Sequence, residues 1–191
     1  MKKRTVGMAL LLLSAAPAYG ETLDENILEE INRRHSPLCD TFNGILSERT
    51  QLVLVPLVAG GLGRDGKFLF SVAAAEGMGY FLSWGMKEVV RRQRPYENLY
   101  DIRTPQGKED SSGFPSTHAA IAFAGAAAIA ERNPNWAIPA YTWATLVAYS
   151  RVYNGLHYPS DVLAGAAVGL GAAKISSSLF GKNGFGWSFT F

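Results

Sequence analysis

Residues 150–178 read SRVYNGLHYPSDVLAGAAVGLGAAKISSS, and the fold follows from how this stretch breaks and resumes. Asn154-Gly155 ends one helix. Pro159 suits the first position of the next, where its missing N–H is no loss. That helix continues to about residue 178, with Ala164, Gly165, Gly169 and Ala173 forming a small-residue face for close packing. Working outward, a helix over about 136–153 precedes the break. Asn133-Pro134-Asn135 separates it from a helix that opens at Pro115-Ser116 and runs to about residue 132. A long helix over about 67–92 is stopped by Pro95, whose ring disfavours helical backbone at Arg94. Leu23, Ile27, Ile31 and His35 at fourfold spacing predict a helix over 22–35, with Thr22 or Asp24 as its cap and His35 as the polar end of the stripe. An apolar segment at 52–63 ends in Gly60-Gly61 and the Gly63-Arg64-Asp65-Gly66 turn. Only the tail changes period: Phe185, Trp187, Phe189 and Phe191 alternate with small or polar residues, as in a strand. The expected architecture is all-α, a bundle of five or six helices with its site at one end and a short aromatic tail laid against it.

Composition bounds the rest. A chain of 191 residues is one domain's worth and can bury a core without staples. Cys39 is the single cysteine, so no intrachain disulfide forms, and it reads as a small packed residue. Lys2, Lys3 and Arg4, the apolar run 6–16 and small residues at Ala16, Ala18 and Gly20 read as an export signal cleaved before Glu21. The alternative is an uncleaved anchor, against which the run is short of the ~20 residues a span needs. The expected division is a signal over 1–20 and one domain over 21–191. Removing the signal turns the formal charge from +2 to −1. The basicity therefore belongs to the signal, and no nucleic-acid partner is implied.

Apolar stretches recur at 52–63, 68–86, 119–130, 137–149 and 162–173. They are short and rich in Ala and Gly, Glu76 interrupts the second, and the mean hydropathy is only +0.03. That favours a compact exported domain. If the segments did span, Arg64, Lys67, Arg132 and Lys182 would fall on the side of the basic N-terminus, which keeps an integral membrane protein open.

Three segments gather the residues suited to phosphate chemistry. In Lys87-Glu88-Val89-Val90-Arg91-Arg92-Gln93-Arg94-Pro95, Lys87, Arg91 and Arg94 share a helical face. Their mutual repulsion would be relieved by a bound anion; the bland alternative is a basic helix end complementing the dipole. In Gly113-Phe114-Pro115-Ser116-Thr117-His118 a loop meets a helix N-terminus, which offers free N–H groups to an anion. Ser116 can cap it, and His118 in the first turn suits a proton donor; alternatively this is a capping turn with an incidental histidine. In Ser150-Arg151-Val152-Tyr153-Asn154-Gly155-Leu156-His157-Tyr158-Pro159-Ser160-Asp161, a His157–Asp161 hydrogen bond would fix the ring tautomer and bare the other nitrogen as a nucleophile. Arg151 adds a planar donor fork. Such a pair also occurs at metal sites, although no third ligand accompanies it and its surroundings are cationic.

In this order the segments resemble the signature of the type 2 phosphatidic acid phosphatase superfamily: Lys-x6-Arg-Pro, Pro-Ser-Gly-His and Ser-Arg-x5-His-x3-Asp. Lys87 to Pro95 and Ser150 to Asp161 match completely; Thr117 stands where glycine is usual. The matching stretch is 87–161. The resemblance implies a phosphatase without metal or cofactor. His157 would be the nucleophile, oriented by Asp161, and His118 would protonate the leaving group and later activate water. Lys87, Arg94 and Arg151 would bind phosphoryl oxygens, assisted by Ser116 and the Thr117 N–H. The six-residue spacing resembles the lipid branch of the family, which implies a phosphorylated lipid as partner and a membrane surface nearby; with the export signal, the expected location is exported and periplasmic, either soluble or attached to the inner membrane. A soluble nonspecific acid phosphatase acting on small phosphate esters is the runner-up. A vanadate-dependent haloperoxidase and a catalytically silent binding protein rank below it.

Overall fold

The computed structural model describes residues 17–34, 36–47 and 66–180. The apolar run 6–16, His35, the segment 52–63 and the aromatic tail lie outside the described residues. Those described are helical, without a strand: α1 (Pro17–Arg33), α2 (Pro37–Ser47), α3 (Gly66–Val90), the single turn α4 (Pro95–Asn98), α5 (Thr117–Arg132), a 3-10 turn (Pro134–Trp136), α6 (Ala137–Tyr153) and α7 (Pro159–Phe180).

The helix α5 is the axis of the bundle, packed against α3, α6 and α7. Its sequence explains why. Ala119, Ala120, Ala122, Ala124 and Ala126 are all buried, so three neighbours can approach its backbone from different sides. The small-residue face of α7 does what its sequence suggests. A methyl group added at Gly165 would run into the Ser116 carbonyl, and one at Gly169 into the Ala120 carbonyl. Ala173 joins Ala75 of α3, Ala124 of α5 and Ala172 in a core cluster. At the other end, Leu28 of α1, Ala119, Val152, Tyr158 and Val162 close the core beside the break between α6 and α7.

Several boundaries differ from the sequence reading. The helix α1 begins at Pro17, so Asp24 is mid-helix and not a cap. Its buried face is also not the apolar stripe. Leu23 and Ile27 are exposed, whereas Asp24, Leu28 and Asn32 are buried. The reason is polar: Asn32 Nδ2 donates to the carbonyls of Tyr153 (2.8 Å) and Arg103 (2.9 Å), and its Oδ1 accepts the Arg103 N–H. Helix α2 was not anticipated, although Ser36 caps it by accepting the Cys39 N–H and Pro37 opens it. Cys39 is exposed rather than packed. Helix α3 ends at Val90, two residues early, because Arg91 adopts a left-handed φ of 47°. Arg91 therefore leaves the face of Lys87 and donates to the Glu88 carbonyl at the surface. The polar loop 96–113 is also less irregular than expected, since its first residues belong to α4.

Candidate active site

The three segments meet at the end of the bundle where α3 stops and α5 and α7 begin. Lys87 lies in the last turn of α3, and its Nζ donates to the Ser112 carbonyl. After the reversal at Arg91, Arg94 takes the extended conformation that Pro95 imposes (φ −81°, ψ 159°). Its side chain is only 1% exposed. It donates to the carbonyls of Ser111 (2.7 Å) and Leu156 (2.9 Å) and faces His157 Nε2 at 3.4 Å. Arg151, in the last turn of α6, is equally buried.

Ser116 caps α5, its Oγ accepting from the Ala119 N–H, while its own N–H donates to the Asp161 carbonyl (2.9 Å). Thr117 is thus the first residue of α5, where a backbone N–H has no acceptor within the helix. His118 follows it and feels the charges of Arg151, Glu109, His157 and Arg94. Burial, reinforced by Arg151, holds the His118 imidazole well below its ordinary pKa. For His157, burial and then Arg151, Arg94 and Lys87 act in the same direction. Both shifts favour the neutral imidazole.

The geometry around His157 differs from the sequence expectation in one respect. His157 Nδ1 and Asp161 Oδ2 stand 3.7 Å apart, beyond a hydrogen bond. The partner of Nδ1 is instead the Gly113 carbonyl, at 2.8 Å. The chemical result is the one sought. A carbonyl only accepts, so Nδ1 carries the proton and Nε2 presents its lone pair to the cage. Asp161 is occupied elsewhere: Oδ1 accepts from Arg92 (2.8 Å) and Oδ2 from the Tyr158 N–H (2.9 Å).

Two groups in the site were not picked out from sequence. Glu109, in the loop, bridges the cage, accepting from Arg94 Nη2 at 2.6 Å and from Arg151 Nη2. Tyr96 fixes its backbone, donating to the Glu109 carbonyl and accepting its N–H. Burial would raise the Glu109 pKa, but Arg151 and Arg94 outweigh it and hold the carboxyl at about 2. Arg92 is the other group, lying between Asp161 and Asp24 of α1. Its position inside the first motif was a signal; nothing local marked Asp24. Among the described residues no three His, Cys, Asp or Glu side chains gather into a metal ligand set. The cage formed by Lys87, Arg94 and Arg151 is built for an anion.

A family model described as the PAP2 superfamily matches residues 66–185, the segment carrying all three motifs. The chain belongs to the PAP2 superfamily. Among curated PAP2-like relatives, an undecaprenyl-diphosphatase of Sulfolobus acidocaldarius is 37% identical over 84 residues, covering 44% of this chain and 41% of the relative. The putative undecaprenyl-diphosphatase YbjG of Escherichia coli is 31% identical over 126 residues, 62% of this chain and 63% of its own length. A lipid A 1-phosphatase of Porphyromonas gingivalis is 41% identical over 70 residues, 35% of this chain and 16% of the relative. The chain thus spans less than two thirds of the length of each of these relatives. The crystal structure of Aquifex aeolicus LpxE matches with a TM-score of 0.67 at 25% identity, over 79% of this chain and 92% of that one. A transmembrane PAP2-type phosphatidylglycerolphosphate phosphatase from Bacillus subtilis shares the fold, with a TM-score of 0.67 at 24% identity. The α5–α7 core and the α3 approach to it are therefore a PAP2 framework.

Proposed function

We propose that the chain is a phosphatase that hydrolyses phosphate monoesters or diphosphates of a lipid, without metal or cofactor, through a phosphohistidine at His157. The observation that carries this reading is Arg94 facing His157 Nε2 at 3.4 Å while Nδ1 is held by the Gly113 carbonyl, with Arg151 and Lys87 near enough for their charges to act on the same ring. Nε2 attacks phosphorus; the P–N bond forms as the P–O bond to the leaving group breaks. His118 gives its proton to the departing oxygen. It is neutral before substrate arrives, and the entering dianion raises its pKa so that it enters the step protonated. In the second step His118 takes a proton from water as the water oxygen attacks phosphorus and the P–N bond breaks. The three cations stabilise the equatorial oxygens throughout, so most of the catalysis is electrostatic positioning. Ser116 and the Thr117 N–H complete the cradle at the start of α5.

Glu109 fits the reading as a stand-in. Its two oxygens take the arginine donors that a phosphoryl group needs, so substrate enters as the carboxylate leaves. As His157 gains positive charge, Asp161 Oδ2 has only to close from 3.7 Å to meet Nδ1.

The lipid is supported by the surface. Phe81 of α3 is 68% exposed and Leu163 of α7 is 70% exposed, and Phe70, Trp84 and Leu170 extend the same two apolar faces. Among the described residues α7 alone is long and apolar enough to cross a membrane, and only 33% of its most apolar window is buried. A membrane-associated enzyme acting on an exported face accounts for both the surface and the expected signal. The test is phosphate release from a detergent-dispersed lipid diphosphate beside a small aromatic phosphate, for wild type and His157→Ala. Turnover of the lipid, unaffected by EDTA and abolished in His157→Ala, is expected. Retained turnover in the variant, loss on chelation, or preference for the small ester would overturn the mechanism, the metal independence or the substrate class respectively.

A further inference from the structure

We infer that Asp24 of α1, acting through Arg92, is a positioning residue for the reaction, although it lies outside residues 66–185 that match the family. The inference rests on the His157 mechanism proposed above. Asp24 is 8% exposed, and both its oxygens are used. Oδ1 accepts the Ser160 N–H at 2.9 Å, in the first turn of α7. Oδ2 accepts from Arg92 Nη2 at 3.0 Å and from the Ser160 hydroxyl. Arg92 in turn donates through Nη1 to Ser160 Oγ (2.7 Å) and to Asp161 Oδ1 (2.8 Å). Its guanidinium lies over the Tyr158 ring at 4.3 Å. Asp24, Arg92, Ser160 and Asp161 thus form one closed network, three residues of which flank or face the nucleophile's loop.

The consequence for chemistry lies in how Arg92 is shared. A guanidinium alone beside a buried carboxylate settles into a bidentate pair with it. Here Asp24 takes Nη2, so Arg92 holds Asp161 by one oxygen only. The second oxygen is left with the Tyr158 N–H and an open side toward His157 Nδ1. Without Asp24, Arg92 is released to take both oxygens of Asp161 and draw that carboxylate away from the ring. The charge that His157 acquires in the transition state then loses its counter-ion, while the cage that binds phosphate is untouched.

The experiment measures kcat and KM on the lipid diphosphate, with inhibition by inorganic phosphate, for Asp24→Asn, Asn32→Ala and His157→Ala in the full chain. Outer partners of metal-ligating histidines typically alter activity by about 10–100-fold, and the same scale is taken for the carboxylate beside His157. Asp24→Asn is therefore expected to lower kcat by about that factor, with KM and phosphate inhibition within about twofold. Asn32→Ala cuts the other anchor of α1 to Tyr153 and Arg103 without touching Arg92, and is expected to lower the melting temperature but keep kcat. Full kcat in Asp24→Asn, or equal loss in Asn32→Ala, overturns the inference, the second by showing that α1 acts only through folding. If Asp24→Asn does not fold, Arg92→Lys keeps the charge and loses the fork, and the same fall in kcat is required of it. A dead Asp24→Asn beside an active His157→Ala refutes the His157 mechanism instead, so the two failures are distinguishable.

Discussion

Replacing Glu109 with glutamine keeps the size of the side chain between Arg94 and Arg151, removes its charge and leaves one arginine facing an NH2 that cannot accept. The carboxyl sits at about 2 in place of the ordinary 4.5. That difference corresponds to about 3 kcal/mol in favour of the charged, bridged form. Its side chain is 33% exposed, so solvent screening leaves about 2 kcal/mol of it usable. A phosphoryl group competing for the same donors must displace this interaction. Removing it should tighten inorganic phosphate by up to about 30-fold. The assay is product inhibition of lipid-phosphate hydrolysis at pH 7, and the inhibition constant should fall. Stability should move the other way. A depressed carboxylate pKa stabilises the fold fully above about 4.5, and that share is lost as pH falls toward about 2. Glu109→Gln should therefore lower the melting temperature at neutral pH and flatten its decline across that acid window. If phosphate instead binds more weakly to the variant, Glu109 orients the arginines rather than occupying their site, and the displacement argument fails.

Gly169→Ala places a methyl group against the carbonyl of Ala120 and the backbone N–H of Ala124, neither of which can yield. It should cost about 1–3 kcal/mol or more in thermal unfolding, whereas Gly77→Ala, with open space around it, should be neutral or stabilising. Equal melting temperatures would remove the close α5–α7 contact from the account. Lys87 is lowered to about 8 by burial and then by Arg94. Because kcat/KM reports the free enzyme, it should fall as pH rises through about 8, and the step should vanish in Lys87→Met. A profile flat to pH 9 would exclude Lys87 from phosphate binding. Thr117→Gly should keep kcat/KM within about fivefold, about 1 kcal/mol; a larger loss would mean that the Thr117 hydroxyl itself holds a phosphoryl oxygen.

The helices and the three motifs were legible because their signals are local. Pro95, Pro134, Asn154-Gly155 and Pro159 punctuate the chain within a residue or two of the observed boundaries. What was not legible depends on partners distant in sequence. Hydrophobic spacing puts Leu23 and Ile27 on the inner face of α1; the buried Asp24 and Asn32 turn the helix the other way because their acceptors and donors lie 68 to 136 residues on. Arg91 and Arg92 exchange roles because α3 ends early: the residue expected to face the cage goes to solvent, and its neighbour turns inward. The four-residue spacing of His157 and Asp161 suggested a direct bond. The Gly113 carbonyl, delivered by the turn before α5, takes that place. Glu109 was one charge among several of both signs in a polar loop, with no pattern to set it apart.

One contact near the floor of the site reaches beyond stability. The Asp161 carbonyl accepts the N–H of Ser116, and Gly165, one turn later, brings the backbone of α7 against the Ser116 carbonyl. The run of chain from the cap of α5 to His157 is therefore tied at two adjacent points of main chain, the second of which only a glycine permits. The rim is different: Glu109 meets Arg94 and Arg151 through its side chain alone. A molecule divided in this way can change what it admits by altering its rim alone, while the main-chain frame below is carried forward intact.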